Sequence, residues 1–349
     1  MKILSVIDIP WNSALAAYAF DQALALRAGG HEVLFACPEA SAAQDFAAKA
    51  GFKAFTIPGR KEYHKVPLAL LRLRSIIKEE GVNAVCAHTG RAQTLGCLLG
   101  LPLVRVKADA KKPSAGFTFS VVARTIAASD YIKNLYLEAG MKPGSLAVIR
   151  QGINIPAVIP RNPRPPYKVG LLGRLDPVKG HDVFLKAAAL LLGRGVQAEF
   201  HIAGYEANVK YSDLERTASG LGIEKNVFHH GKVDGPYAFM GACDVGVIAS
   251  LGSEAVSRAA LEWLACGKPL VASAVGSLPE FVDAELLVPP GDPAALAAKL
   301  ETLLRDPAKL KELGEQNRAR AERDFSHSAF AAATCAVFES LIKKGASGD

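Results

Sequence analysis

The chain has 349 residues, half of them apolar and 21% charged, which suits a globular protein with two domain-sized cores. Every apolar run near 18 residues is broken by charges or Gly/Pro, and residues 1–8 predict a buried strand, so neither a transmembrane helix nor a secretory signal is expected. The six cysteines are scattered without any CxxC spacing: Cys37, Cys86, Cys97, Cys243, Cys266 and Cys335. This pattern predicts buried free thiols, and we expect a cytoplasmic protein.

The net charge of +7 is unevenly distributed along the chain. Residues 1–160 hold 19 Lys and Arg against 11 Asp and Glu, whereas the remainder holds 22 against 23. A basic first half predicts contact with something anionic: nucleic acid, an acidic small molecule or an anionic membrane surface.

In chain order, the first half alternates short apolar runs with segments of helical periodicity. The predicted strands and helices of this half are strands 2–7, 32–36, 53–57, 84–87, 103–107 and 125–128, with helices 14–28 and 67–80. Residues 155–166 contain five prolines, which disfavour both helix and sheet, and they predict an interdomain linker.

A second series of the same kind follows the linker. Its predicted elements are strands 168–172, 198–203, 227–229, 245–249 and 269–272, with helices 181–192, 293–305 and 307–324. Alternating β and α elements predict a doubly wound, mostly parallel sheet in each half. We expect α/β domains at 1–160 and 161–325, a final helical segment at 326–349, and a ligand in a central cleft at the carboxyl ends of the strands.

Two glutamates flank the start of a predicted helix in segment 253–269. Glu254 lies in the loop after the strand at 245–249, the helix begins at about Ser257, and Glu262 lies just over a turn inside it. A helix N-terminus offers free N–H groups and a positive dipole end to an anion such as a diphosphate. The two carboxylates would bind hydroxyls of a nucleotide sugar on either side of that anion; the alternative is a pair of solvated surface glutamates.

A second candidate lies in segment 170–181, where a strand ends in glycine and two cations follow. Arg174 and Lys179 could bracket a diphosphate, one as a planar fork and one as a point charge. They would stabilise the charge that develops on a nucleotide diphosphate leaving group. The alternative is an ordinary basic surface loop, and the order of residues excludes a Walker A loop.

These motifs together resemble glycosyltransferase family 4. The resemblance rests on Gly-Arg-Leu-Asp-Pro-Val-Lys-Gly-His at 173–181, Ile-Ala-Gly at 202–204, Val-Phe-His-His-Gly at 227–231 and the glutamate pair. It covers most of the chain and is strongest over 168–285. It implies a GT-B fold, nucleotide-sugar donors, retention at the anomeric carbon and no metal or other cofactor.

The resemblance also implies residue roles at the sugar and diphosphate of the donor. Arg174 and Lys179 would contact the diphosphate, and backbone amides near Ser257 and Arg258 would touch phosphate. Glu254 would hold hydroxyls of the transferred sugar, which makes it a candidate catalytic residue.

At the nucleoside end, the resemblance implies that Glu262 holds the ribose. The loop that contains Val233 would border the base, with Gly204 and Tyr205 in a loop nearby. The helical tail after residue 326 resembles the one that crosses back onto the first domain.

Three positions in the first half depart from the family pattern. The first βα loop lacks the usual glycine pair, so side chains of Asn12 or Ser13 would substitute as donors. Asp109 stands where many relatives place a functional histidine and is a candidate catalytic residue, with a surface aspartate as the alternative. His88 ends a strand, is predicted to face the cleft on the acceptor side and is also a candidate catalytic residue; the alternative is a structural histidine.

Basic and apolar residues combine in segment 61–78 and again at Arg105, Lys107, Lys111 and Lys112. Such a surface suits an anionic membrane interface or an anionic lipid-linked acceptor. The alternative for 61–78 is a core-facing amphipathic helix with a solvated basic face. Nucleic-acid binding is not expected, since neither an aromatic-rich basic sheet nor a recognition helix is indicated.

The sequence therefore predicts a metal-independent, retaining glycosyltransferase that transfers a sugar from a nucleotide diphosphate to a hydroxyl of an envelope glycan or lipid-linked acceptor, as in lipopolysaccharide assembly. Alternatives are a nucleotide-sugar epimerase or phosphorylase of the same fold, and a non-catalytic sugar-nucleotide-binding protein. Close carboxylates for Mg²⁺ are not indicated, because no Asp-x-Asp triplet occurs. A dinucleotide dehydrogenase is disfavoured, since Gly-x-Gly-x-x-Gly follows neither first strand. Peripheral association with a membrane is compatible with this prediction.

Overall fold

The computed structural model describes residues 1–113, 116–157, 162–252 and 254–345. The chain forms two compact units, one from residues 1–152 with the segment from 327 onward, the other from residues 153–326. The unit boundary thus lies at Gly152/Ile153, before the proline-rich segment. Ile153 is fully buried and its backbone N–H donates to Phe325 at 2.9 Å, which ties it to the second unit. Residues 158–161 of the predicted linker lie outside the described residues.

The first unit contains a seven-stranded, all-parallel sheet in the order β3-β2-β1-β4-β5-β6-β7. Its strands are β1 Lys2–Val6, β2 Glu32–Cys37, β3 Lys53–Thr56, β4 Ala84–Ala87, β5 Leu103–Lys107, β6 Arg124–Ala127 and β7 Leu146–Val148. Its helices are α1 Ala14–Ala28, α2 Ala42–Ala50, α3 Val66–Glu80, α4 Gly90–Gly96, α5 Thr118–Val121 and α6 Asp130–Glu138, with 3₁₀ turns Tyr63–Lys65 and Pro143–Ser145.

The C-terminal helix of the chain, α13 His327–Gly345, belongs to this first unit and packs against α1. Tyr18 and Phe330 meet edge to face with ring centroids 5.4 Å apart. The Tyr18 hydroxyl donates to the carbonyl of Ile149 at 2.7 Å, so the buried ring keeps a polar partner. A Cβ on Gly152 would lie 2.8 Å from Cβ of Phe330, and this close approach requires glycine where the chain leaves the unit.

The second unit contains a six-stranded parallel sheet in the order β10-β9-β8-β11-β12-β13. Its strands are β8 Tyr167–Leu172, β9 Ala198–Ala203, β10 Val227–His229, β11 Val245–Ile248, β12 Leu270–Ser273 and β13 Leu287–Val288. Its helices are α7 His181–Gly193, α8 Tyr211–Gly220, α9 Pro236–Ala242, α10 Arg258–Ala265, α11 Pro293–Leu304 and α12 Pro307–Asp324, with 3₁₀ turns Pro177–Lys179, Glu224–Asn226, Leu278–Glu280 and Ala284–Leu286.

The core of the second unit is built around Trp263 of α10, which is fully buried. Its indole ring lies against the glycines of β8 and β11, because a Cβ would come within 2.9 Å of the ring at Gly170 and 2.4 Å at Gly246. Side-chain-free strands therefore let α10 sit close to the sheet. This packing fixes the helix that carries Glu262.

The predicted fold class is confirmed, since both units are doubly wound α/β folds with parallel sheets. The prediction missed β7 and β13, which have only three and two residues and too little periodicity to detect. Within the described ranges, no helix has the length and apolarity needed to cross a membrane. The six cysteines are free thiols, five of them buried and Cys97 partly so.

Candidate functional site

The carboxyl ends of β8, β9 and β10 meet in the second unit through three glycines. A Cβ on Gly204, whose φ is +153°, would lie 1.9 Å from the carbonyl oxygen of Gly173, so this position requires glycine. The N–H of Gly204 donates to the carbonyl of Gly231 at 2.8 Å. The loop after β9 is therefore joined to the loops on both sides, as a site that spans them requires.

Lys179 and Glu254, 75 residues apart in sequence, form an ion pair at this edge of the sheet. The Lys179 ammonium donates to Oε1 of Glu254 at 2.5 Å, and the Ser250 hydroxyl donates to the same oxygen at 2.7 Å. Glu254 is only 4% exposed, whereas the Lys179 side chain is 25% exposed. The predicted diphosphate contact and the predicted sugar contact thus lie side by side.

The backbone around both residues is held by close approaches that only glycine permits. Gly180, in the left-handed region at φ +70°, would place a Cβ 1.9 Å from the carbonyl oxygen of Ala249 at the end of β11. Gly276 would place one 2.2 Å from the carbonyl oxygen of Glu254. That same oxygen accepts from the N–H of Ser277 at 2.7 Å and from its hydroxyl at 2.9 Å. Glu254 is therefore held in one position before any ligand arrives.

Helix α10 begins directly after this loop, at Arg258, as the sequence predicts. Ser257, at the N-cap position, is 2% exposed, and its hydroxyl has no hydrogen-bond partner among the described residues. A buried hydroxyl at a helix N-terminus can donate to a phosphate oxygen while the dipole favours the negative charge. Ser253, at the front of the predicted motif, lies outside the described residues.

Glu262 points inward from α10 and is 6% exposed. Its Oε1 accepts from Nε of Arg258, one turn earlier, at 2.8 Å. Burial raises the pKa of Glu262, and the hydrogen bond and charge of Arg258 oppose that rise. The alternative of a solvated surface glutamate is wrong for both Glu254 and Glu262, because each is buried.

Arg174 is exposed and lies 3.4 Å from the carboxylate of Asp176. Asp176 in turn accepts from the backbone N–H of Val178 at 3.0 Å and shapes the turn that leads to Lys179. The hydrogen bond that the Val178 N–H donates, together with the charges of Arg174 and Lys179, lowers the pKa of Asp176.

The two loops predicted near the base differ in environment. Tyr205 is 53% exposed after β9, next to Gly204. Val233 is partly buried against the core of the second unit and lines a cavity of about 450 Å³ with His201 and Phe239. Val233 thus lies in the loop between β10 and α9, partly buried against the core.

In chemical terms, the second unit presents three cations and three carboxylates at one sheet edge: Arg174, Lys179, Arg258, Asp176, Glu254 and Glu262. Each cation has a carboxylate partner. A diphosphate can compete for the exposed cations, and the carboxylates then accept from sugar and ribose hydroxyls. Sequence reasoning missed Ser250, Gly276 and Ser277; a hydroxyl right after a buried strand was the available signal for Ser250.

In the first unit, the prediction that His88 faces an open site is wrong. The imidazole is fully buried, and Nε2 lies 3.0 Å from the hydroxyl of Ser5 on the neighbouring strand. Burial, reinforced by the charge of Arg105, lowers the pKa of His88 to about 3. His88 is therefore a neutral core histidine that joins β1 to β4, which was the alternative for this residue.

Other predicted residues of the first unit surround a cavity of about 620 Å³ at the carboxyl ends of β1, β4 and β5. Asp109 lines it and accepts from the Lys107 ammonium at 2.5 Å. Ser13 also lines it, although its hydroxyl caps α1 by accepting from Ala16 N–H at 3.2 Å. Asn12 is exposed in the same loop.

Arg105 and Lys107 correct the prediction of a basic surface. Both lie on β5 and are buried, 3% and 5% exposed, and both line the cavity. Lys111 and Lys112 are exposed at its edge. The cationic character of this region is therefore partly internal.

Comparison with known proteins identifies relatives of both units. A family model described as "Glycosyltransferase Family 4" matches residues 15–156, and one described as "Glycosyl transferases group 1" matches residues 166–306. The MMP alpha-(1->4)-mannosyltransferase of Mycolicibacterium hassiacum is 33% identical over 226 residues, which cover 60% of this chain and 52% of that protein. The D-inositol 3-phosphate glycosyltransferase 2 of Catenulispora acidiphila is 31% identical over 245 residues, covering 64% and 56%. The chain thus spans about half the length of these curated relatives.

The fold is shared with solved GT-B glycosyltransferases. HepE of Anabaena, solved in complex with UDP, superimposes with a TM-score of 0.84 over 97% of this chain and 100% of that one, at 21% sequence identity. At this identity the likeness supports the fold.

Proposed function

The chain belongs to the family 4 glycosyltransferases, and on that premise we propose that it transfers a sugar from a nucleotide diphosphate sugar to a hydroxyl group of an acceptor. The observation that carries this proposal is the Lys179–Glu254 pair. A buried carboxylate and a partly exposed ammonium meet where β8 and β11 end. The loop that carries Glu254 continues to Ser257, whose buried hydroxyl has no hydrogen-bond partner among the residues that the structure describes. A nucleotide sugar supplies both a diphosphate for the cation and hydroxyls for the carboxylate.

In the proposed reaction, the acceptor oxygen forms a bond to the anomeric carbon while the bond to the diphosphate oxygen breaks. The acceptor proton passes to the departing diphosphate, and the sugar keeps its anomeric configuration. Arg174 and Lys179 stabilise the charge on the leaving group, which is the role that a metal ion plays in other transferases. We therefore propose that the reaction needs no metal, so EDTA should leave the rate unchanged.

For the acceptor, we propose a hydroxyl of an envelope glycan or a lipid-linked sugar, as in lipopolysaccharide-like assembly. Support comes from α3, whose buried face is Ala69, Leu73 and Ile76. On its outer side Leu68 is 56% exposed and Leu71 is 63% exposed. Exposed leucines among basic residues suit the surface of an anionic membrane. Vesicles of phosphatidylglycerol should therefore bind the protein more weakly after substitution of both leucines by serine, whereas phosphatidylcholine vesicles should bind neither form.

The donor is tested by thermal shift with UDP-, GDP- and ADP-sugars in turn. A true donor at 100 times its dissociation constant stabilises the folded state by about 2.7 kcal/mol. This corresponds to roughly 5–10 °C for a unit of this size. If none of the nucleotide sugars shifts the transition, the proposed function is wrong.

The two alternatives separate in a second assay that uses the stabilising donor alone. Conversion of the donor without an acceptor would indicate an epimerase. If the nucleotide sugar binds but no nucleotide is released when an envelope extract is added as acceptor, the protein is non-catalytic. The proposed transferase releases nucleotide only with an acceptor, and NMR of the new glycosidic bond gives its configuration. Inversion would contradict the retaining mechanism.

A further inference from the structure

The carboxylate of Asp176, in the loop between β8 and α7, is contacted from three directions. Asp176 is 8% exposed, and its Oδ1 accepts from the backbone N–H of Val178 at 3.0 Å. Its Oδ2 accepts from the side-chain amide of Asn208 at 2.8 Å and lies 3.4 Å from Nη2 of Arg174. Both oxygens of this buried carboxylate therefore have a hydrogen-bond donor, and Asn208 supplies one of them from a different loop.

Asn208 lies in the loop after β9, and its backbone is attached to the residue that precedes Asp176. The N–H groups of Asn208 and Val209 both donate to the carbonyl of Leu175 at 3.1 Å. In the opposite direction, the N–H of Leu175 donates to the carbonyl of Tyr205 at 2.9 Å. A carboxylate can only accept, so the amide nitrogen of Asn208 is the atom that faces it. The two loops thus present the Asn208 amide to Asp176 before any ligand binds.

Arg174 is the weaker of the two donors at Oδ2 of Asp176. Its separation of 3.4 Å exceeds the usual N–H···O range of about 2.7–3.2 Å, whereas the Asn208 amide lies within that range. The side chain of Arg174 is 45% exposed, so water screens its attraction to the carboxylate. In the same order, the Val178 N–H lowers the pKa of Asp176 most, and the Asn208 amide lowers it more than the charge of Arg174 does, while burial opposes all three.

The order of these contacts matters when a diphosphate binds. A guanidinium that leaves a buried carboxylate normally leaves an acceptor without a donor, and this loss opposes binding. Here the amide of Asn208 remains on Oδ2 and the N–H of Val178 remains on Oδ1, so Asp176 keeps a donor at each oxygen. Arg174 can therefore turn to a phosphate oxygen without leaving Asp176 unsatisfied.

We propose that Asn208 is a positioning residue for Arg174, because its amide occupies Asp176 and leaves the guanidinium available to the diphosphate of the nucleotide sugar. The inference rests on the proposed function, in which Arg174 stabilises the phosphate that departs from the sugar. In this role Asn208 acts through Asp176 and contacts neither the sugar nor the phosphate. Without its amide, Asp176 draws Arg174 into a closer ion pair, and a diphosphate must break that pair before it binds.

Removal of the amide by Asn208→Ala tests this role. Calorimetry measures binding of a nucleoside diphosphate and its monophosphate, with the base of the stabilising donor: UDP and UMP, GDP and GMP, or ADP and AMP. We expect Asn208→Ala to bind the diphosphate roughly three- to tenfold more weakly than wild type, and the monophosphate equally well, because Arg174 serves the terminal phosphate. Asn226→Ala is the matched control, since that amide donates at 3.2 Å to Ala198 at the opposite end of β9, and it should bind both nucleotides as wild type does.

Two further backgrounds separate positioning from a purely structural role of Asn208. In Arg174→Gln, the added Asn208→Ala should cost no further diphosphate affinity, since no guanidinium remains to be released. In Asp176→Asn, it should also cost none, because a neutral amide does not draw Arg174 into an ion pair. A structural role would lower the affinity by the same factor in all three backgrounds.

Equal losses of affinity for the diphosphate and the monophosphate would overturn the inference, and so would an undiminished loss in the Arg174→Gln background. If wild type binds the diphosphate and Asn208→Ala binds it equally well, the inference fails and the proposed transferase stands. A wild-type chain that binds none of these diphosphates would overturn both.

Discussion

Replacing Glu262 with glutamine should stabilise the ligand-free protein while it weakens donor binding. The change exchanges one oxygen for an amide nitrogen and leaves the packing of α10 intact. Glu262 is 6% exposed, whereas its partner Arg258 is 45% exposed in its side chain, so the ion pair does not fully offset the cost of burying the carboxylate. Substitutions that relieve an unfavourable feature of a native structure commonly add about 0.5–2 kcal/mol. For a unit of this size, that is an increase in melting temperature of a few degrees, at about 2–4 °C per kcal/mol.

The pH dependence gives the sign of this effect. Because burial raises the pKa of Glu262, the folded state takes up a proton at a higher pH than the unfolded state does. The free-energy cost of burying the charged Glu262 carboxylate is therefore complete above its pKa in the folded state, and it is lost as the pH falls through that pKa. The stability gap between Glu262→Gln and wild type should be widest at pH 8 and close towards pH 4.

Donor affinity should change in the opposite direction. A ribose hydroxyl that donates to a carboxylate is bound more strongly than one that donates to an amide, by about 1–2 kcal/mol, or roughly 5–30-fold in affinity. Thermal melts from pH 4 to 8 measure the predicted gain in stability, and calorimetry of donor binding measures the predicted loss of affinity. A variant that is less stable than wild type at pH 8, or a stability difference that does not vary with pH, would show that burial of the Glu262 carboxylate carries no cost.

Three further changes test other parts of the structure. Gly204→Ala should cost more than about 3 kcal/mol, because its Cβ would overlap a carbonyl oxygen, whereas Gly222→Ala, in open space at φ +69°, should cost about 1–2 kcal/mol in chemical denaturation. Wild-type stability should fall as the pH drops from about 6.5 towards 3, because His88 takes up a proton in the unfolded state that the buried ring excludes. His88→Asn should flatten this dependence of stability on pH and leave the pH profile of turnover unchanged. A shifted pH profile of turnover would indicate that His88 belongs to the active site. Lys179→Met should lower the free energy of unfolding by about 1–3 kcal/mol, because Glu254 stays buried without its cationic partner. Adding Glu254→Gln should recover most of this loss. Additive effects of the two substitutions in a double-mutant cycle would contradict the coupling of Lys179 to Glu254.

The sequence was informative about the sheet edge of the second unit, which we propose as the donor site, because the required signals are local. Gly173 and Gly204 end buried strands, and parallel strands bring their carboxyl ends to one edge. Glu254 and Glu262 share a loop and the helix that follows it, so their spacing alone placed them. The ion pair between Lys179 and Glu254 could not be predicted, since it joins positions 75 residues apart through loop geometry.

The environments of the predicted residues in the first unit were less predictable, because they depend on burial and burial is a tertiary property. His88 ends a strand in either case; the Ser5 hydroxyl on the neighbouring strand makes it a core residue. The alternation of Arg105 and Lys107 within an otherwise apolar strand was the available signal of internal cations. Because Arg and Lys are seldom buried, these two residues were predicted to lie on a basic surface instead.

Calorimetric titration of the stabilising donor tests whether the sheet edge around Glu254 and Glu262 binds a nucleotide sugar. Wild type is compared with Arg174→Gln and Glu262→Gln, and with Arg216→Gln as a matched loss of charge at an exposed position of the same unit. Both site variants should bind the donor roughly tenfold more weakly, while the control should match wild type. Unchanged affinity in both site variants would contradict it.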